Sequence, residues 1–289
     1  MPGQLGNKLF EFSNIIANSI ENKYTLINFG FSEYEKYFDS TLNSQFGKNE
    51  IYTIIYKQHA RLSSFLKKLI LRITIRWTKN GFMNSFFHTI IIVNNYIMGE
   101  SYKLNDPKFI YLAKSKIVLL SGTWYTDLEN FNKHSNIIRS FFKPHHHYAD
   151  LINQNIQIIK VDKTILIGVH IRKGDYINFL DGIYFFSNEV YLDKMRKVSK
   201  LFIDPGIKLS FLICSNEPID LNYFSEFDVK ASNQESIVDL YSLSKCDYLL
   251  GVMSTFVLWA SFYGNVPYLQ IKKDQPHILL SDFHVIKYS

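Results

Sequence analysis

Cysteine is scarce in this 289-residue sequence, and acid is missing from one long stretch of it. The two cysteines, Cys214 and Cys246, fall in apolar segments. They read as small buried side chains rather than a disulfide, which fits a reducing compartment. No basic start followed by an apolar run marks a secretion signal. From Ile51 to Gly99 there is no Asp or Glu, while Lys57, Arg61, Lys67, Lys68, Arg72, Arg76 and Lys79 all stand there. The formal charge of the chain is +6, so the remainder lies near −1 and the basicity is local. That excludes a positive footprint spread over the whole surface, as a nucleic-acid binder would carry. Charged residues make up only 20% and hydrophobic ones 47%, which excludes long disorder and supplies an ample core. Aromatics are plentiful, with 19 Tyr, 24 Phe and 3 Trp. Many must pack inside, although flat aromatic faces also line sugar-binding clefts.

Charge is also absent from Tyr248 to Ile271, a run of 24 residues long enough to span a bilayer. The run is broken by Gly251, Ser254, Thr255, Ser261, Gly264, Asn265 and Pro267. It therefore reads as a strand, a turn, a helix and another strand. Strands are expected at 164–171, 209–215, 227–231, 247–251 and 266–271, with helices at 188–202, 235–246 and 255–264. Such alternation predicts a parallel sheet covered by helices, with ligands gathering at the C-terminal strand ends. The N-terminal half is less regular. Helices are expected at 7–21 and 127–142, and strands at 24–30 and 116–122. A polar segment before Asp162 puts the domain boundary within 145–162, giving domains of 1–155 and 156–289.

Four stretches carry chemistry. In "HIRKGDY" (170–176) a buried strand ends in His170, Arg172, Lys173 and Asp175, with Gly174 free to turn close to a ligand. Strand alternation puts His170 and Arg172 on one side. An arginine there can hold two phosphate oxygens in a fork, and Asp175 can orient it or act as a base. In "PGQLGNKLFEFSNIIANS" (2–19), Gly3 and Gly6 precede a helix starting near Asn7, whose free amides suit an anion or a sugar hydroxyl. In "LLGVMSTFVLWASFYG" (249–264), Ser254 and Thr255 open a helix, by ordinary capping or to receive a diphosphate. In "FLICSNEPID" (211–220), a strand ends at Ser215, Asn216 and Glu217, where an acid can grip a base or a ribose.

Taken in order, "GQLGNKLFEF", "SGTWYTDLENF", "HIRKGDY", "CSNEP" and "STFVLWASF" resemble the motifs of the bacterial and animal α-1,2-fucosyltransferases, glycosyltransferase family 11-like, from residue 3 to about 271. The resemblance implies an α/β GT-B fold, two Rossmann-like domains facing a cleft. It implies inverting transfer of fucose from GDP-β-L-fucose to the 2-hydroxyl of a terminal β-galactoside, on an oligosaccharide or a lipid-linked glycan, in surface glycan synthesis. Carried over by residue, Arg172 would hold the diphosphate and His170 would contact the nucleotide. Asn216 and Glu217 would lie near guanine or ribose. Ser254, Thr255 and Phe256 would line the phosphate and fucose pocket, while Gly3, Gly6 and Asn7 would let the backbone approach the donor. Asp175 would position or deprotonate the acceptor. In members of the group a strand precedes the glycine turn, whereas this chain starts almost on it, so the resemblance implies either a missing first strand or a numbering that starts late. Lys173 stands where arginine is usual, keeping the charge but not the fork. Val257, Leu258 and Trp259 replace a run richer in Ser and Trp, which bears on the fucose-side contacts.

Metal-dependent transferases usually carry an ion on a D-x-D triplet, and this chain has none. Arg172, the helix start at 254 and Lys173 are expected to replace the ion, so no metal and no other cofactor is expected. "PHHHYAD" (144–150) offers three adjacent histidines that do not converge easily on one ion. In "RLSSFLKKLILRITIRWTKNGF" (61–82), apolar and basic stripes recur at helical spacing. That pattern fits a domain-packing helix or peripheral docking on the inner face of the membrane. The expected location is cytoplasmic. The rival readings are a transferase of the same fold with another sugar nucleotide or linkage, and a non-catalytic carbohydrate or nucleic-acid binding protein. The second leaves the non-basic motifs unexplained.

Overall fold

The computed structural model describes residues 4–28, 31, 33–42, 51–53, 90–95, 100–122, 124–161, 163–204, 206–232 and 234–286. Two compact units result: Lys8–His145 makes up the first, and Leu5–Asn7 with His146–Lys287 makes up the second. The basic segment 61–82 and Gly3 lie outside the described residues.

Helix α1 (Leu5–Asn22) begins two residues earlier than the sequence predicts, so Gly6 and Asn7 lie within its first turn. It buries Leu9, Phe12, Ile15 and Ile16 in the first unit. There it is followed by β1 (Leu26–Asn28), which pairs in parallel with β2 (Ile51–Thr53). Next come β3 (Ile90–Asn95), β4 (Tyr102–Lys103), α2 (Pro107–Ser115), β5 (Ile117–Gly122) and β6 (Tyr125–Thr126). β3 pairs with β5 and β4 with β6, again in parallel. The single helix predicted at 127–142 is two, α3 (Leu128–Lys133) and α4 (Ser135–Phe141), broken at His134, which bonds Glu21 at 2.8 Å.

Two motifs of the first unit meet in its core. Asn14 and Asn18, one helical turn apart on α1, both reach Asp127. The Asp127 N–H donates to Asn14 Oδ1 at 2.7 Å, and Asn18 Nδ2 donates to Asp127 Oδ2 at 2.7 Å. Asp127 also caps α3 through the Asn130 N–H. Buried amides and a carboxylate cost several kcal/mol unless paired, so these reciprocal bonds fix where α1 sits on the strands. Phe12, Phe31, Phe38, Phe141 and Phe142 are buried and pack edge-on or tilted against one another, so much of the aromatic content is core. Of the three adjacent histidines, His145 stands 3.8 Å from Asp39, and His147 packs edge-on to Tyr148.

The second unit holds α5 (His146–Gln157), β7 (Thr164–Ile171), α6 (Asn188–Ser199), β8 (Lys208–Ser215), β9 (Asp228–Ser232), α7 (Ser236–Leu243), β10 (Tyr248–Gly251), α8 (Thr255–Gly264) and β11 (Tyr268–Gln270). All five strands are parallel, in the order β11-β10-β7-β8-β9. β7 is buried along almost its whole length, because helices cover a parallel sheet on both faces. Ile167, Val169 and Ile171 pack with Tyr191, Met195 and Val198 of α6. The uncharged run 248–271 is β10, α8 and β11, and no helix among the described residues is long and apolar enough to cross a membrane. Cys214 and Cys246 are free and buried.

The units divide at His145/His146, ahead of the 155/156 read from the sequence, because α5 is tied into the second unit. Asn155 Nδ2 donates to Ser232 Oγ at 3.0 Å and to Ser242 Oγ at 2.9 Å. Ser232 in turn donates to the buried Asp239.

Candidate active site

The sheet order reverses between β7 and β10, the pair formed by the first and fourth strands of the second unit. In an open parallel sheet that is where a crevice forms beyond the strand ends. His170 and Gly251 are register partners at this point. Gly251 is required there, because a Cβ would come within 2.9 Å of the His170 carbonyl oxygen.

His170 is buried, and its ring stacks on Phe256 with centroids 5.0 Å apart. Burial, aided by the nearby Arg172 charge, pushes its pKa down to about 3, so the imidazole is neutral. Ser254 Oγ lies 3.2 Å from His170 Nδ1. The same oxygen accepts the Val257 N–H and caps α8. Where the Ser254 hydroxyl donates to Nδ1, the neutral imidazole carries its own proton on Nε2.

Strand pairing ends at Ile171↔Ser215, so alternation aims His170 but not Arg172. Arg172 is oriented by its neighbours instead. Its Nη2 donates to Asp175 Oδ2 at 2.7 Å, and its guanidinium lies 5.3 Å from the Tyr176 ring centroid. The arginine side chain is 11% exposed and the aspartate 56%. The pair therefore presents a largely enclosed cation beside an open carboxylate.

Gly174 has φ +55, a left-handed backbone that opens the turn, and a Cβ there would lie 2.8 Å from Glu217 Oε1. The Lys173 N–H donates to Asn216 Oδ1 at 2.8 Å, and Asn216 Nδ2 returns to the Lys173 carbonyl at 3.4 Å. Asn216 thus clamps the loop after β7 to the end of β8. The Lys173 ammonium donates to the Phe186 carbonyl at 3.1 Å and lies over the Phe185 ring. Partial burial lowers its pKa.

Gly6 and Asn7 meet α8 within the second unit. Thr255 Oγ1 donates to Asn7 Oδ1 at 2.7 Å. A Cβ on Gly6 would stand 2.8 Å from the Thr255 carbonyl carbon, so the glycine serves helix-to-helix approach rather than a turn before α1. Val257 and Trp259 are fully buried, with Trp259 Nε1 donating to Tyr241 Oη, so these two departures from the motif face the core.

The structure therefore gathers the named residues into three groups: His170–Ser254–Phe256, Arg172–Asp175 and Lys173–Asn216–Glu217, with Gly6–Asn7–Thr255 beside them. Sequence reasoning missed the tyrosines around them. Tyr191 Oη accepts from the Arg172 N–H at 3.4 Å, Tyr268 Oη donates to the Gly251 carbonyl at 3.1 Å, and Tyr176 Oη donates to the Met253 carbonyl at 3.1 Å. Tyr176 closes the "HIRKGDY" motif and was legible there. Tyr191 and Tyr268 carry no local signal, because they read as core residues of a helix and a strand.

No protein-family model matches the chain. It is similar to the α-1,2-colitosyltransferase of Escherichia coli, 21% identical over 286 residues covering 92% of this chain and 86% of that protein. Among solved structures, an Arabidopsis thaliana FUT1 variant in complex with GDP matches with a TM-score of 0.59 at 11% identity, over 98% of this chain and 72% of that one. POFUT1 in complex with GDP-fucose matches with 0.57 at 12%, over 92% of each. The NodZ α-1,6-fucosyltransferase soaked with GDP-fucose matches with 0.57 at 14%, over 99% and 96%. The chain has the α/β GT-B fold of these fucosyltransferase structures, and its sequence is similar to an α-1,2-colitosyltransferase, in line with the resemblance carried by the five motifs.

Proposed function

We propose that the chain is an inverting glycosyltransferase that moves L-fucose from GDP-β-L-fucose to the 2-hydroxyl of a terminal β-galactoside. One observation carries the reading: Arg172 follows the end of β7, and the start of α8 follows the end of β10, at the point where the sheet order reverses. As the acceptor oxygen attacks the anomeric carbon, the sugar–phosphate bond breaks on the opposite face and negative charge grows on GDP. Fixed donors aimed at that charge lower the barrier. Arg172 supplies the cation and the first turn of α8 supplies amides, so the reaction runs without a divalent ion. His170, neutral, offers a donor to the nucleotide rather than a charge. Gly6, Asn7, Thr255 and Phe256 shape the donor side. Asn216 supports the reading by holding the Lys173 backbone, and Glu217 lies beside Gly174. Lys173 contributes less than its charge suggests, because its ammonium is engaged by the Phe186 carbonyl. Asp175 holds Arg172 and leaves its second oxygen for the acceptor hydroxyl. The acceptor is a galactose-terminated oligosaccharide or lipid-linked glycan of the cell surface.

The test is to incubate the protein with GDP-fucose and lactose and determine the product linkage by NMR. An α-fucosyl unit on O2 of galactose supports the reading. A product with another linkage, or none with any galactoside, contradicts it. The similarity to an α-1,2-colitosyltransferase favours a second reading, the same linkage with another sugar. Faster turnover with GDP-colitose than with GDP-fucose would decide for it.

A further inference from the structure

Tyr176 is not among the residues assigned a role above, yet it touches both sides of the switch point. Its ring underlies the Arg172 guanidinium, with the centroid 5.3 Å away. Its hydroxyl donates to the carbonyl of Met253, the residue before the Ser254 cap of α8. Phe179 stacks on the ring at 5.2 Å and 27°, which limits its rotation. Tyr184 backs the same turn, with its hydroxyl 3.6 Å from Met253 Sδ. The Arg172 side chain is therefore held by neighbours of different kinds, among them Asp175, which is open to solvent, and Tyr176, which is half-buried and anchored to the turn after β10.

We infer that Tyr176 is a positioning residue that couples the Arg172 guanidinium to the turn leading into α8, so that both engage one diphosphate together. The inference rests on the reading of Arg172 as the diphosphate-holding group. A guanidinium on an aromatic face, partly withdrawn from water, is worth enough to change binding about tenfold. The ring also restricts the arginine to fewer rotamers, which lowers the ordering cost when an anion arrives.

The test is a double-mutant cycle on GDP affinity, measured by calorimetry, with thermal melting to confirm folding. Tyr176→Leu is expected to weaken GDP binding about tenfold in the otherwise unaltered protein and less than twofold in the Arg172→Ala background. Tyr176→Phe keeps the ring and should lose no more than about threefold. Equal losses from Tyr176→Leu in the two backgrounds would overturn the inference, because a residue that only supports the fold acts independently of Arg172. Should Tyr176→Leu fail to fold, Tyr176→Phe in both backgrounds decides: a loss seen only where Arg172 is present supports the coupling, and an equal loss or none in both overturns it. GDP binding weakened by Arg172→Ala but untouched at Tyr176 would overturn this inference alone. No GDP binding by the unaltered protein would overturn the transferase reading and this inference with it.

Discussion

Ser254 Oγ lies 3.2 Å from His170 Nδ1, so the residue that caps α8 also holds the imidazole at the end of β7. One hydroxyl joins two adjacent strand ends across the switch point. Ser254→Ala removes the cap and the imidazole contact together. It is expected to cost about 1–2 kcal/mol of stability, read by urea unfolding, and to weaken GDP binding. Ser254→Thr keeps the oxygen and should recover most of both. A Ser254→Ala protein as stable as the original would show that neither bond matters.

Gly6 carries no side chain where it lies against the Thr255 backbone, within the second unit. Gly6→Ala would drive a methyl group to 2.8 Å from a backbone carbon of Thr255, which cannot rotate away. The expected loss is about 1–3 kcal/mol, with GDP affinity falling as the first turn of α8 shifts. Since alanine is the better helix former, an unchanged or raised stability would mean that Gly6 does not lie against Thr255 in solution.

Asn216 clamps the Lys173 backbone rather than standing free for a base. Asn216→Ala should weaken GDP binding several-fold by loosening the loop that carries Arg172. Asn216→Asp retains the acceptor for the Lys173 N–H and should be milder. The reverse ranking, with Asp worse than Ala, would argue that the amide itself reads an acceptor atom of the nucleotide.

Two buried acids make stability fall with rising pH. Burial raises the pKa of Glu11 to about 7 and that of Asp239 to about 6, from ordinary values of 4.5 and 3.8. Between those limits the folded chain binds more protons at these positions than the unfolded chain. Their contribution is therefore full below about pH 4 and is lost as pH rises through 6 to 7. His170 acts in the opposite sense, because its pKa is depressed to about 3 and the unfolded chain takes up its proton below about 6.5. Comparison with variants separates the contributions. Glu11→Gln and Asp239→Asn should each gain on the order of 2 kcal/mol relative to the original chain on going from pH 4 to pH 8. The measurement is urea unfolding at both values. Parallel pH curves for the variants and the original would contradict the assignment.

The five strands of the second unit were legible to within two residues, whereas α5 (His146–Gln157) lies where a polar domain boundary was read. Those strands are continuous apolar runs because both faces of the sheet are covered, and β7 and α8 fall at the positions read from sequence. The first unit was less legible. The helix expected at 127–142 breaks at His134, and that break is held by Glu21, more than a hundred residues away. Asp127 reads as an N-cap from sequence pattern, whereas its clasp on Asn14 and Asn18 is purely tertiary. In the site, residue types and strand ends were legible. The aim of each side chain was not: Arg172 lies beyond the last paired residue, and Lys173 turns to a carbonyl that sequence does not place near it.

The most direct measurement is GDP release from GDP-fucose with lactose present, in EDTA, for the original protein and Arg172→Ala. Acceptor-dependent release is expected to persist in EDTA and to fall by at least about 100-fold in the variant, the scale on which removal of a preorganised charge-stabilising donor acts. Release that is abolished by EDTA, or that is equal in Arg172→Ala, would contradict the proposed mechanism.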